Sequence, residues 1–375
     1  SIDFKHTPYG DLALISMRGC EDIASQVDYY LKQWRSIPED ESFVVSANCP
    51  RFGTGEAKAV LKHTARGLDA YILCDCFNYS VTYKMYGQTV PMSPDDHYQD
   101  LKRVIAALGG KARRITVIMP MLYEGRQHRR TARESMDCAM ALQELVAMGV
   151  KNIITFDAHD PRVQNAIPLK GFETVQPAYQ FIKGILREVK DLKIDAEHMM
   201  IISPDEGGTN RAVYLANVLG LDMGMFYKRR DYSKIVDGRN PIVAHEFLGS
   251  SVEGKDVIII DDMISSGESM IDVATELKKR KANRIFVVAT FGLFTNGLER
   301  FDKAVADGTI YKVVTTNLTY QTPELLAKPY YINCDMSKYI AYIIDTLNHD
   351  SSISDLLNPY DRIQRLVAKY KAEQN

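Results

Sequence analysis

Short apolar runs alternate along this chain with segments of helical length. Leu12–Met17, Ala70–Cys76, Ile115–Met119, Asn152–Phe156, Met199–Ser203, Val257–Ile260, Ile285–Thr290 and Lys312–Thr315 predict strands. Most are continuously apolar rather than alternating, the signature of strands covered on both faces. Between them, Ile23–Trp34, Asp137–Met148, Asn210–Leu219 and Ser269–Lys281 space their apolar residues as helices do. Strand–helix alternation predicts βαβ units and an α/β fold with mainly parallel sheets, whose ligands bind beyond the carboxyl ends of strands. The layout is duplicated, one series over about 10–185 and a second over about 190–345, with the charged stretch Arg187–Glu197 between them. This predicts domains over 1–187 and 188–345 and a helical extension over 346–375. Within the extension, Asn358–Asn375 reads as a polar helix. Pro359 suits an early helical position, and Ile363, Leu366, Val367 and Tyr370 share one face.

Composition narrows the picture. Across 375 residues, 46 Lys and Arg face 48 Asp and Glu, with 46% hydrophobic and 25% charged residues. That balance belongs to a globular chain and excludes collagen, coiled coil and disorder as the main architecture. Near-neutral charge removes the bulk argument for nucleic-acid binding. No apolar run reaches the length of a membrane-spanning helix, and the opening SIDFKHTPYG has neither an initiator methionine nor an apolar signal core. The six cysteines include no CxxC pair, so buried free thiols in a reducing cytoplasm are expected rather than a zinc or redox site.

The segment from Val257 to Ser269, VIIIDDMISSGES, carries the strongest chemistry. A buried strand leads into two carboxylates, a short loop and a helix start. Ser265, Ser266, Gly267, Glu268 and Ser269 offer N–H groups and hydroxyls at a helix N-terminus, where unsatisfied donors and the helix dipole favour an anion. Gly267 permits close backbone approach. Asp261 and Asp262 stand where they can accept hydrogen bonds from ribose hydroxyls. Together these parts suit a ribose 5-phosphate; the plainer alternative is a βα turn with a serine cap.

This segment resembles the ribose-phosphate loop shared by type I phosphoribosyltransferases and ribose-phosphate pyrophosphokinases. Four further segments, in the order found in the pyrophosphokinases, favour that family. In Tyr123-Glu-Gly-Arg-Gln-His-Arg-Arg130 the resemblance implies ATP binding by Arg126 and Gln127, with Arg133 as a further match. In Phe156-Asp-Ala-His-Asp160, it implies that Asp157 and His159 help hold magnesium–ATP. In Ser203-Pro-Asp-Glu-Gly-Gly, it implies that Asp205 faces metal or ribose. In Lys228-Arg-Arg230, it makes Lys228 and Arg230 the catalytic cations beneath a polar flap, Asp231–Asn240. A weaker match around Phe52-Gly-Thr-Gly-Glu56 puts Phe52 and Glu56 on the adenine.

The resemblance implies two tandem phosphoribosyltransferase-like, Rossmann-like domains and a diphosphate transfer from Mg-ATP to the C1 hydroxyl of ribose 5-phosphate. It also implies Mg²⁺ as cofactor, ATP and ribose 5-phosphate as partners, a cytoplasmic location and a homo-oligomer, hexamer or dimer. Neither nucleic acid nor membrane is expected as a partner. Two alternatives stand beside it: a phosphoribosyltransferase that consumes the same product, and a non-catalytic regulatory relative. The chain also departs from the family. Thr54 and His128 replace usual aspartates, and Glu268 brings a negative charge to the phosphate loop. The stretch Phe77–Asp100 is longer than in ordinary members, suggesting a lid or a subunit contact.

Overall fold

The computed structural model describes residues 7–375; residues 1–6, part of the stretch read for a signal core, lie outside it. Among the described residues, no helix is long and apolar enough to cross a membrane. The chain forms two compact α/β units. The first contains the chain up to Pro177 together with Asn317–Tyr320 and Asp335–Leu357. The second contains Ala178–Thr316, Gln321–Cys334 and Asn358–Asn375.

In the first unit, β1 (Asp11–Ser16), β2 (Leu68–Leu73), β3 (Arg114–Ile118), β4 (Asn152–Phe156) and β5 (Gly171–Val175) form one parallel sheet in sequential order. Helix α1 (Glu21–Trp34) follows β1. Ile15, Ile72, Val117 and Ile153 enter a core with Leu101, Val104 and Leu108 of α2 (Pro94–Leu108) and Leu142 and Leu145 of α3 (Asp137–Ala147). The start of α2 is set locally. Ser93 Oγ accepts the Asp96 N–H at 3.2 Å, Asp96 Oδ2 accepts the Ser93 N–H at 3.0 Å, and Pro94 occupies the first turn. The expected strand Ala70–Cys76 is Leu68–Leu73, so Cys74, Asp75 and Cys76 lie beyond the strand end. All six cysteines are free and buried.

The second unit holds seven strands: β6 (Met199–Ser203), β7 (Asp222–Arg230), β8 (Ile242–Leu248), β9 (Asp256–Ile264), β10 (Ile285–Gly292), β11 (Lys312–Thr316) and β12 (Tyr331–Cys334). Their order is β8-β7-β6-β9-β10-β11-β12. All pairings are parallel except β7 with β8. Alternate residues explain the continuous apolar runs. Ile201, Ile258 and Ile260 enter one core, while Ile202, Val257 and Ile259 enter another on the opposite face. The run expected to end at Ile260 continues to Ile264, because Asp261 through Ile264 stay in register with β10.

Helix α7 (Glu299–Ala306) lies between β10 and β11 in the chain, and the C-terminal stretch beyond β12 divides between the units. Helix α8 (Ser337–Asn348) belongs to the first, where Asn348 Nδ2 donates to Asp69 Oδ2 at 2.9 Å and Arg114 donates to the Leu347 carbonyl at 2.7 Å. Helix α9 (Tyr360–Glu373) belongs to the second. Its expected apolar face is buried there through Ile363, Val367 and Tyr370, and the Tyr370 hydroxyl donates to the Val189 carbonyl at 2.6 Å. The compact units therefore change at 177/178, not 187/188, and the segment 335–357 returns to the first. Residues 178–188 form α4 (Ala178–Glu188), whose apolar face lies in the second unit's core, a packing that the charge of the 187–197 stretch did not reveal.

Candidate active site

Strand order reverses between β6 and β9 in the second unit. β7 lies outside β6 on one side, and β10 lies outside β9 on the other. Such a reversal opens a crevice at the carboxyl ends of the two strands. Ser203–Arg211 leaves the end of β6, and Ser265–Ser269 leaves the end of β9, whose last residues include Asp261 and Asp262.

Burial pushes the Asp261 carboxyl up to about 8, and the neighbouring Asp262 and Asp205 charges add to it. Asp262 is itself buried, and its N–H donates to Asp261 Oδ1 at 2.8 Å. Arg211 Nη1 lies 3.9 Å from Asp261 Oδ1. Arg211 sits in the first turn of α5 (Thr209–Leu219), and sequence reasoning gave it no role. Its signal was its place six residues after Asp205, at the second position of the expected helix Asn210–Leu219. Asp205 also shapes its own turn, accepting the Gly208 N–H at 2.9 Å.

The loop that follows Asp262 is built for close approach. Gly267 has φ +86° and caps helix α6 (Glu268–Lys279). A Cβ there would lie 2.3 Å from the Phe301 ring, so both conformation and space require glycine. Among the described residues, the N–H groups of Ser265, Ser266, Gly267 and Ser269 meet no protein acceptor. They line the start of a 12-residue helix. Glu268 turns its carboxylate to Arg300, 2.5 Å away, so its charge is answered outside the loop. Arg300 was missed because its partner lies 32 residues earlier.

Lys228 and Arg230 occupy the end of β7, at the base of the 231–241 loop. They pair in register with His245 and Ile242 of β8, with a bulge between Arg229 and Arg230. Both are exposed, and Arg230 Nη1 donates to the Asn240 carbonyl at 3.0 Å, bracing the hairpin that closes over 231–241. The intervening Arg229 faces Glu246 at 3.3 Å. The hairpin tip carries Tyr232, Ile235 and Val236, all more than half exposed.

In the first unit, β3 leads to Tyr123–Arg130 and β4 leads to Asp157–Asp160. These two stretches meet: the His128 ring lies edge-on to His159 at 5.4 Å, and His128 Nε2 is 3.5 Å from Asp160 Oδ2. Burial lowers the His128 pKa, with the Asp160 charge opposing. Arg126 and His159 are exposed, while Asp157 is buried with φ +43°, a strained value for a residue with a side chain. Gln127 Oε1 is a buried oxygen without a hydrogen-bond donor among the described residues. Such orphaned groups point to an absent partner. Arg133 is exposed, with no ion pair among the described residues.

Phe52 and Glu56 form a tight turn, in which the Phe52 N–H donates to the Glu56 carbonyl at 2.7 Å. Phe52 is 56% exposed, which excludes a core role. Thr54 Oγ1 donates to Glu56 Oε1 at 3.2 Å, so the threonine that replaces the usual aspartate engages the neighbouring acid.

Residues 12–149 match the N-terminal domain of ribose phosphate pyrophosphokinase, and residues 171–319 match the phosphoribosyl transferase domain. The chain belongs to the ribose-phosphate pyrophosphokinase family. The ribose-phosphate pyrophosphokinase of Vibrio cholerae serotype O1 is 29% identical over 318 residues, covering 83% of this chain and 91% of that protein. The enzyme of the same name from Mycoplasma genitalium is 27% identical over 265 residues, covering 69% of this chain and 76% of that one. The fold agrees with the crystal structure of phosphoribosylpyrophosphate synthetase from Mycobacterium smegmatis. That comparison has a TM-score of 0.73 at 21% identity and covers 91% of this chain and 100% of that chain. The pyrophosphokinase N-terminal match contains Phe52, Glu56, Arg126, Gln127 and Arg133. The transferase-domain match contains Asp205, Lys228, Arg230 and the Asp261–Ser269 loop. Asp157 and His159 fall between the two.

Proposed function

We infer that this chain is a ribose-phosphate pyrophosphokinase. It transfers diphosphate from ATP to the C1 hydroxyl of ribose 5-phosphate and releases AMP. The observation that carries the reading is the crowding of Asp261, Asp262 and Asp205 at the reversal of strand order, beside a loop of unpaired N–H groups. Negative side chains accept hydrogen bonds from ribose hydroxyls, and the N–H groups of the helix start suit the 5-phosphate. In the first unit, Arg126, Gln127 and Arg133 bind the triphosphate, with Phe52 and Glu56 at the base.

Asp205, Asp261 and Asp262 supply hard carboxylate oxygens whose mutual repulsion suits a divalent cation. They would hold Mg²⁺ at the sugar, with Asp157 and His159 on the nucleotide side, where the ion supplies charge neutralisation for the phosphates. The anomeric oxygen of the sugar forms a bond to the β-phosphorus, the bond from that phosphorus to the α–β bridging oxygen breaks, and AMP departs with that oxygen. The hydroxyl proton passes to solvent. Lys228 and Arg230 stabilise the charge on the moving group, so the chemistry is positioning and electrostatics rather than covalent catalysis. The resemblance further implies a cytoplasmic homo-oligomer, hexamer or dimer.

Phosphorus NMR of the protein with ribose 5-phosphate, ATP and Mg²⁺ tests this directly. Equal amounts of AMP and a phosphoribosyl diphosphate are expected. Release of ADP with no phosphoribosyl diphosphate would overturn the reading.

A further inference from the structure

The long stretch Phe77–Asp100 contains a β-hairpin, Thr82–Met85 paired with Gln88–Pro91. Tyr86 and Gly87 both have positive φ, +50° and +76°, as a tight two-residue turn requires. This hairpin is fastened to the Phe52–Glu56 turn. The Tyr86 N–H donates to the Gly53 carbonyl at 2.8 Å. Met85 Sδ lies 3.0 Å from where a Cβ on Gly55 would stand. Arg51 anchors the junction, with its guanidinium 4.9 Å from the Tyr83 ring centroid and 2.9 Å from Asp100 Oδ2.

The same stretch reaches the arginine–glutamine segment. The Tyr83 hydroxyl lies 3.4 Å from Asp96 Oδ1 in the first turn of α2. In that turn Asp95 accepts the Tyr123 hydroxyl, and Tyr123 stacks on Tyr98 at 4.3 Å. Tyr123 precedes Arg126 by three residues. One connected piece of the first unit thus runs from the base turn, through the hairpin, to the triphosphate segment. Two aromatic rings stand out of its tip: Phe52 is 56% exposed and Tyr86 is 77% exposed. The joined turns hold each ring's backbone in place without covering the ring.

We propose that Tyr86 is a binding residue for the donor nucleotide, its ring providing a second stacking surface for the base beside Phe52. This rests on the pyrophosphokinase reading and adds to it a contact from outside the resemblance. Stacking accepts any base with a π face, and truncating one stacking ring to alanine weakens binding roughly 5- to 150-fold. Glu56, already receiving the Thr54 hydroxyl, keeps an oxygen for an exocyclic amino group. The base is therefore held chiefly by rings and read by a single carboxylate.

The test measures ATP affinity by calorimetry and KM for both substrates in Tyr86→Ala and Tyr86→Phe. Tyr86→Ala is expected to weaken ATP about tenfold in both measurements, in line with the stacking range. Its KM for ribose 5-phosphate and its melting temperature should stay at the wild-type values, and Tyr86→Phe should behave as wild type. Unchanged ATP affinity in Tyr86→Ala would overturn the proposal while leaving the activity intact. Equal loss in Tyr86→Phe would also overturn it, by assigning the effect to the hydroxyl. If wild type makes no phosphoribosyl diphosphate yet binds ATP, the calorimetric arm still decides on Tyr86, and only the reaction reading fails.

Discussion

Two buried acids, one in each unit, are treated in opposite ways. In the first, Asp69 is wholly buried at the start of β2 and fully answered. Arg114 grips both of its oxygens at 2.8 and 2.9 Å, and the Tyr71 hydroxyl and the Asn348 amide complete the set. Asp100 is likewise clamped between Arg51 and Arg103. In the second, Asp261 has two further carboxylates for company and a single arginine at 3.9 Å. A buried charge costs several kcal/mol unless it is paired, so an arrangement that leaves it crowded opposes folding and persists where a ligand supplies the missing charge. Asp69 holds the first unit together, binding its returning C-terminal helix. Asp261 is held ready for something that arrives.

The largest test of this contrast removes the answering charge. Arg114→Met leaves Asp69 buried without its partner and should lower stability to urea by about 3–5 kcal/mol. A loss under about 1 kcal/mol would mean that the pair is solvated and not structural.

Asp261→Asn should do the reverse. At pH 7 the unfolded chain ionises this carboxyl freely while the cluster resists its ionisation, so an amide that keeps an acceptor for the Asp262 N–H should raise stability by roughly 2 kcal/mol without ligands. Diphosphate transfer should fall at least about 100-fold. Scanning calorimetry and the NMR assay check the two halves, and a destabilised variant would erase the distinction between the units.

The third test lies at the end of β2. Burial pushes the Asp75 carboxyl up to about 6, against the pull of the Phe77 and Tyr320 N–H groups that it accepts. Between its ordinary 3.8 and about 6, the folded chain binds more protons there than the unfolded one. This group's contribution to stability therefore falls as pH rises through that window and is flat above it. Asp75→Asn should remove about 2 kcal/mol of that decline, read from urea midpoints between pH 4 and pH 7. An unchanged pH slope would show that Asp75 ionises freely in the fold.

Much of the site could be read in the chain. Asp261, Asp262 and the Ser265–Ser269 loop are contiguous, and local rules for strand ends and helix starts locate them. Gly267 was legible as a point of close approach, but the Phe301 ring that enforces it lies 34 residues further on. The fate of Glu268 depended on Arg300 in the same way. His128 was visible as a departure, yet its place against His159 follows from β3 and β4 being neighbours. The hairpin in Phe77–Asp100 carries its own turn signal, Tyr86-Gly87, but nothing local says that it fastens to the Phe52–Glu56 turn.

The sequence by itself determined the α/β class, the strands buried on both faces, the amphipathic C-terminal helix and the glycine turn that opens the helix after Asp261 and Asp262. Each depends on periodicity or on residues within one turn of each other. Tertiary structure alone decided the strand orders, sequential in one sheet and reversed in the other, and hence where Asp205 meets Asp261. It also decided that residues 335–357 return to the first unit, through Asn348 on Asp69. These outcomes turn on contacts between residues far apart in the chain, where burial and charge pairing across the fold choose among many locally equivalent partners.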